Sequence, residues 1–155
     1  MKKIRLTQGK SAIVDISDYN NLKDKKWHAV RKSKKRWYAR SKENGKMVFM
    51  HRKIMKTPKG KITDHINGDG LDNRKRNLRI CSPAQNIHNQ GIRSGKKSSQ
   101  YKGVSWSTEK SKWRAQIVVR PKSIHLGYFD DEESAAEAYD NAAEKYFGNY
   151  ARVNL

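Results

Sequence analysis

All of the chain's excess positive charge falls before residue 100, and this polarity marks two parts of different character. Residues 1–99 carry 27 Lys and Arg against 7 Asp and Glu, whereas residues 100–155 carry eight of each. The net charge over 155 residues is +20. Like charges at that density repel one another in a compact fold, so a polyanionic partner is the natural reason to keep them. Nucleic acid is the leading partner, because Lys and Arg neutralise phosphates independently of sequence. An anionic membrane surface is the competitor. The lack of a long apolar run and of a basic amphipathic helix weighs against it. Hydrophobic residues make up 35%, so each part buries a thin core, to which bound DNA or metal adds stability.

The second part is itself polarised. Positions 101–122 hold six basic residues and one acid, Glu109, and positions 123–155 hold two basic residues and seven acids. One element there is expected to face phosphate and another solvent. The single Cys81 excludes an internal disulfide framework and, having no partner Cys, a zinc finger. It fits a reducing compartment. Met1-Lys2-Lys3-Ile4-Arg5 leads into polar sequence with no signal core, so secretion is not expected.

The fold class expected is α+β. Residues 3–6 and 12–16 read as strands, and Ser17 or Asp18 as the cap of a helical turn through Leu22. Strands follow over 27–32 and 36–41, around a turn at Ser33-Lys34-Lys35, and over 46–50, and a helix begins at His51. Residues 61–66 form a strand ending in Asp64-His65, then come the turn formers Asn67-Gly68-Asp69-Gly70-Leu71-Asp72-Asn73. Asn77–Cys81 returns as a strand. Ser82-Pro83-Ala84-Gln85 has the form of a capping box, so a helix starts there and carries Asn86. Gly91–Gln100 is polar and reads as a linker. Beyond it lie strands near 103–106, 112–119 and 123–128. A capped helix then begins at Asp130–Glu133, with an apolar stripe of Ala135, Ala138, Tyr139, Ala142 and Tyr146.

A carboxylate beside a histidine at a strand end serves two roles. Asp64 is a hard oxygen ligand for a divalent cation, and His65 is a base suited to neutral pH. Asn86 offers a second oxygen ligand, leaving room for water and phosphate oxygens. His51 is read as a partly buried helix residue in preference to an active-site one; His28 and Asn73 are left unassigned. Arg74, Lys75, Arg76 and Arg79 are candidate phosphate contacts.

The run from Asp64 to Arg74, then Asn77-Leu78-Arg79 and Asn86, resembles the HNH motif of phage and intron-type homing endonucleases. His51–Met55 and Leu6–Lys10 also resemble the N-terminal region of those proteins, so the resemblance spans roughly residues 4–90. It implies a ββα-metal fold, with its core near 50–90. It further implies one Mg²⁺ or Mn²⁺ ion held by Asp64 and Asn86, with His88 as an alternative ligand. His65 would activate the attacking water and Asn77 would brace the loop that orients His65. The last position of the motif is Asn86 where the family name has His.

Tyr101–Trp106, Lys112–Ile117, Ile124–Phe129 and the alanine-rich run from Glu133 to Ala143 are similar to the APETALA/ethylene-response-factor DNA-binding domain across residues 101–155. This implies a three-stranded antiparallel sheet, backed by one helix and laid in the major groove. Lys102, Ser105, Arg114 and Gln116 are the contacts implied, with His125 and Trp106 beside them. Trp113 is read as core. Lys102 and Ser105 stand where many plant members carry Arg, so a different preferred sequence is expected.

The reading that follows is a site-specific, homing-type endonuclease acting on double-stranded DNA as a monomer or weak dimer, in a bacterial or phage-infected cytoplasm. The rival is a catalytically inactive DNA-binding transcriptional regulator.

Overall fold

A computed structural model describes residues 1–33, 36–91 and 97–155. Contacts divide the chain into two units, Met1–Asn86 and Ile87–Leu155. The expected turn at Ser33–Lys35 falls on Lys34 and Lys35, outside the described residues. So do positions 92–96 of the expected linker.

The first unit opens with a hairpin of β1 (Lys2–Arg5) and β2 (Ser11–Val14), paired from Lys2↔Val14 to Arg5↔Ser11. Its turn places Gln8 and Gly9 at φ 59° and 65°. Helix α1 (Ile16–Leu22) is capped at Asp15, earlier than the Ser17 or Asp18 start expected. Strands β3 (His28–Ser33), β4 (Arg36–Glu43) and β5 (Lys46–Phe49) form an antiparallel sheet in the order β3-β4-β5. Asn44-Gly45, at φ 47° and 77°, closes β4 on β5. Two left-handed residues are what a two-residue hairpin turn requires.

Alternation along β4 sends Ala39 and Ser41 inward. Tyr38 takes the opposite face. The core gathers Ile4, Ala12, Val14, Leu22, Trp27, Ala39 and Met50. The Trp27 indole N–H donates to the Leu22 carbonyl at 2.9 Å, so the largest core side chain leaves no polar group unmet. Helix α2 (Met50–Ile54) follows directly, burying Met50 and His51.

Strands β6 (Ile62–His65) and β7 (Leu78–Cys81) pair antiparallel, with Asp64 opposite Arg79 and His65 opposite Leu78. A 3-10 turn at Lys75–Asn77 leads into β7. The expected capping box is present: Gln85 N–H donates to Ser82 Oγ at 3.1 Å, and Ser82 N–H to Gln85 Oε1 at 2.8 Å. It starts α3 (Pro83–His88), whose last two residues belong to the second unit.

The second unit is a sheet in the order β10-β9-β8, from β8 (Val104–Ser107), β9 (Lys112–Val119) and β10 (Lys122–Phe129), backed by α4 (Glu132–Phe147). Asp131 caps α4 by accepting from Ser134 N–H at 2.7 Å. The helix buries Ala135, Ala136, Tyr139, Ala142 and Ala143. The expected stripe is thus corrected at its end, because Tyr146 is an exposed side chain. Gly103 admits the Tyr139 ring: a Cβ there would lie 2.0 Å from it, and φ is +80°. The protein is a mixed α and β chain with small antiparallel sheets and few helices.

Candidate functional site

Asp64 and His65 sit at the end of β6 and point to opposite faces of the strand. The His65 ring is buried, and its Nε2 lies 3.3 Å from Asn73 Oδ1. An oxygen acceptor there selects the tautomer with its proton on Nε2. Burial pushes the His65 pKa down, and the contact with Asn73 partly opposes this. The ring is therefore uncharged at neutral pH, the state from which a general base acts.

The loop from Ile66 to Asn77 is built from short side-chain-to-backbone bonds. Asn67 Oδ1 accepts from Asp69 N–H at 2.8 Å and Asp69 Oδ1 from Leu71 N–H at 2.9 Å. Asn77 closes the loop across its base, accepting from Asn67 N–H at 3.0 Å and donating to the Asp72 carbonyl at 2.8 Å. Strand β2 clamps the far side: Ile13 N–H donates to Leu71 O, and Asn73 N–H to Ile13 O, both at 2.8 Å. Asn73 is fully buried at that clamp. The turn-forming residues thus make a rigid cradle under His65.

Asp64 pairs with Arg79, whose Nε and Nη2 reach Asp64 Oδ2 at 3.1 and 2.9 Å. Arg74 pairs with Asp72, and the Arg74 guanidinium is the main cause that holds the Asp72 carboxyl below its usual range. Two expected phosphate contacts are thus placed in ion pairs with acids of the same motif. Among the described residues, no group of three or more His, Cys, Asp or Glu side chains is arranged to hold a metal. The donors at hand are the Asp64 carboxylate and the Asn86 carboxamide carried by α3. Both are hard oxygen donors and fit a small divalent cation that keeps several waters.

Three further residues complete the site. The His51 ring lies edge-on to His65, with centroids 4.9 Å apart. Tyr38 is 5.7 Å from His65 and 5.6 Å from His51. A Cβ on Gly70 would lie 2.3 Å from the Trp37 carbonyl oxygen and 2.6 Å from the Tyr38 ring. Glycine at 70 therefore lets the loop lie against β4. His51, read as a partly buried helix residue in preference to an active-site one, is buried in α2 and lies beside His65 at once. Its spacing of fourteen residues from His65 carries no local signal of this. Asn73 ends the turn-forming run, where nothing in the sequence sets it apart from the other Asn residues of the turn.

In the second unit, Ser105, Arg114 and Tyr128 share one row across the sheet, and Gln116 and His125 the next. Their parity is opposite to the buried Val104, Ala115 and Ile117, so they lie on the face away from α4. Arg114 Nη2 donates to Ser105 Oγ at 3.4 Å, and Arg114 Nε is buried without a hydrogen-bond partner among the described residues. Trp106 has the other parity. It packs edge-on against Trp113, 5.2 Å away, while staying 41% exposed. Trp113 packs on the core. The Lys102 ammonium donates to the His88 carbonyl at 2.7 Å, and burial lowers its pKa. Its backbone N–H and C=O are both bound by the Asn154 side chain. Lys102, expected as a groove contact, is here directed to the His88 carbonyl. His88 stacks on Phe147 at 3.8 Å.

Residues 50–88 match the HNH endonuclease family model, and residues 99–149 match that of the AP2 domain. The chain is 34% identical over 153 residues to an uncharacterized HNH endonuclease of Acanthamoeba polyphaga mimivirus, covering 95% of this chain and 76% of that protein. It is 34% identical over 95 residues to protein 3.8 of Escherichia phage T7, covering 61% of this chain and 77% of that one. An AP2-like ethylene-responsive transcription factor of Arabidopsis thaliana is 41% identical over 71 residues, covering 39% of this chain and 17% of the plant protein. No solved structure matches. No helix among the described residues is long and apolar enough to cross a membrane. The likeness to the viral protein runs through nearly the whole chain, and the Asp64-His65 cradle lies within the matched nuclease segment: this chain belongs to the HNH endonuclease family and carries a C-terminal AP2 domain.

Proposed function

We propose that the chain is a site-specific, homing-type DNA endonuclease that hydrolyses phosphodiester bonds with His65 as general base and one divalent ion. The observation that carries this reading is the buried His65 ring, held at Nε2 by Asn73 next to the Asp64 carboxylate. His65 takes a proton from water as the water oxygen attacks phosphorus, and the bond from phosphorus to the 3′ oxygen breaks. The departing 3′ oxygen leaves as a hydroxyl, with its proton drawn from solvent. Asp64 and Asn86 would hold Mg²⁺ or Mn²⁺, which supplies charge stabilisation on the phosphate and the departing oxygen. Arg79 holds the Asp64 carboxylate in one orientation. Asn77 braces the loop that fixes His65.

The sheet of the second unit supplies the address on double-stranded DNA through Ser105, Arg114, Gln116 and His125, and the partly exposed Trp106, at the other parity, is left for the sugar-phosphate backbone. The basic first unit adds sequence-independent affinity. A single nuclease centre per chain implies nicking by a monomer, and a double-strand break implies a weak dimer or two sequential nicks.

A second reading, an inactive DNA-binding regulator, is favoured by one observation, the Arg79 side chain bound to the Asp64 carboxylate. Incubating the protein with supercoiled plasmid and a library of genomic fragments separates the two. The nuclease gives nicked circles and recurrent ends with Mg²⁺ or Mn²⁺ and nothing with EDTA. The regulator binds the same DNA and leaves it closed under every ion.

A further inference from the structure

His51 is a buried histidine that the chemistry above does not use. It is 8% exposed, and its Nδ1 is buried without a hydrogen-bond partner among the described residues. A polar atom in that state costs stability, and an apolar ring of similar size would avoid the cost. Burial is the main cause that lowers the His51 pKa to about 3, followed by His65 and Arg52. The ring is therefore neutral at any working pH. Its surroundings are aromatic: Phe49 stacks on it at 5.4 Å with planes 19° apart, and Tyr38 meets it at 63°. The same two rings, His51 and Tyr38, both contact His65, with planes 81° and 64° from its own. Asn73 meets the His65 ring at Nε2.

We propose that His51 is a positioning residue for His65: together with Tyr38 it forms an aromatic wall that holds the His65 imidazole in one plane. The proposal rests on His65 being the general base. Edge-to-face contacts are directional, so two of them at different angles resist a tilt of the His65 ring out of its plane. Gly70 belongs to the same device, because a side chain there would push Tyr38 off the wall.

The full-length chain carries the test. His51→Leu keeps the volume and removes the ring, and His51→Phe keeps a ring and removes both nitrogens. Cleavage rates at saturating DNA and Mg²⁺ are compared with KM, and the His65 ring protons are followed by NMR. His51→Leu is expected to lose about 100-fold in kcat with KM within about threefold, while His51→Phe stays within about fivefold of wild type. The His65 signals are expected to move in the Leu variant and to hold in the Phe variant. An unchanged kcat with unmoved His65 signals in His51→Leu overturns the proposal. So does His51→Phe as slow as His51→Leu, which would make a nitrogen the functional part. If the wild type cuts no DNA, the nuclease reading fails by itself, and the His65 signals alone decide the wall. Tyr38→Leu gives the same test from the second ring should the His51 variants not fold.

Discussion

At the scale of single residues, the site depends on small side chains that let large ones approach. Gly70 is the sharpest case, since any Cβ there meets backbone and ring atoms well inside van der Waals contact. Gly70→Ala is expected to destabilise the first unit by about 1–3 kcal/mol, as overpacking does, and to slow cleavage by displacing Tyr38. Thermal unfolding and cleavage rates on one preparation check both effects. His51 gives a pH signature. Its pKa lies far below the ordinary 6.5 in the folded chain, so the unfolded chain binds the proton first. The stabilisation is whole above about pH 6.5 and is lost as pH falls toward about 3, with a slope of up to about 1.4 kcal/mol per pH unit. Urea unfolding at a series of pH values is expected to show this slope in wild type and a shallower one in His51→Phe.

These residues also mark where the sequence stops being legible. Asp64, His65, Asn77 and Asn86 lie in one short stretch where strand, turn and cap signals are all local. Asn73 lay in that stretch too, but nothing local distinguishes the Asn that touches His65 from those that shape the turn. Tyr38 and His51 reach His65 only through packing of β4 and α2 against the loop, which no periodicity reports. Arg74, Arg79 and Lys102 read as cations for phosphate because sequence gives charge without partners. Folding gave two of them carboxylates and the third a carbonyl.

At the scale of elements, boundaries were legible where a side chain closes a helix end. The reciprocal bonds of Ser82 and Gln85 are the pattern the sequence spells out, whereas α1 starts on Asp15 with no side-chain cap bond and was misplaced. Ser82→Ala is expected to cost about 1 kcal/mol. Because α3 carries Asn86, the same change is expected to raise the Mg²⁺ concentration needed for half-maximal cleavage. A metal titration checks it. The alternation of β9 was legible as a period of two. The stripe of α4 was not fully so, because a helix lying across a three-stranded sheet buries a wider face, and Ala136 and Ala143 join the core in place of Tyr146.

At the scale of the whole molecule, the charge split read from the sequence falls between the segment that matches the HNH endonuclease model and the segment that matches the AP2 domain. A basic unit carries the Asp64-His65 cradle, and a near-neutral unit carries a sheet face with Arg114 at its middle. Binding and cutting are then separable by substitution. The most direct test places His65→Ala and wild type on the same duplex, and measures binding in Ca²⁺ and single-turnover cleavage in Mg²⁺. The expected result is binding within about twofold and cleavage reduced by about 10² to 10⁴, the usual contribution of a general base. Cleavage by His65→Ala at the wild-type rate would contradict the assignment of His65 as the base.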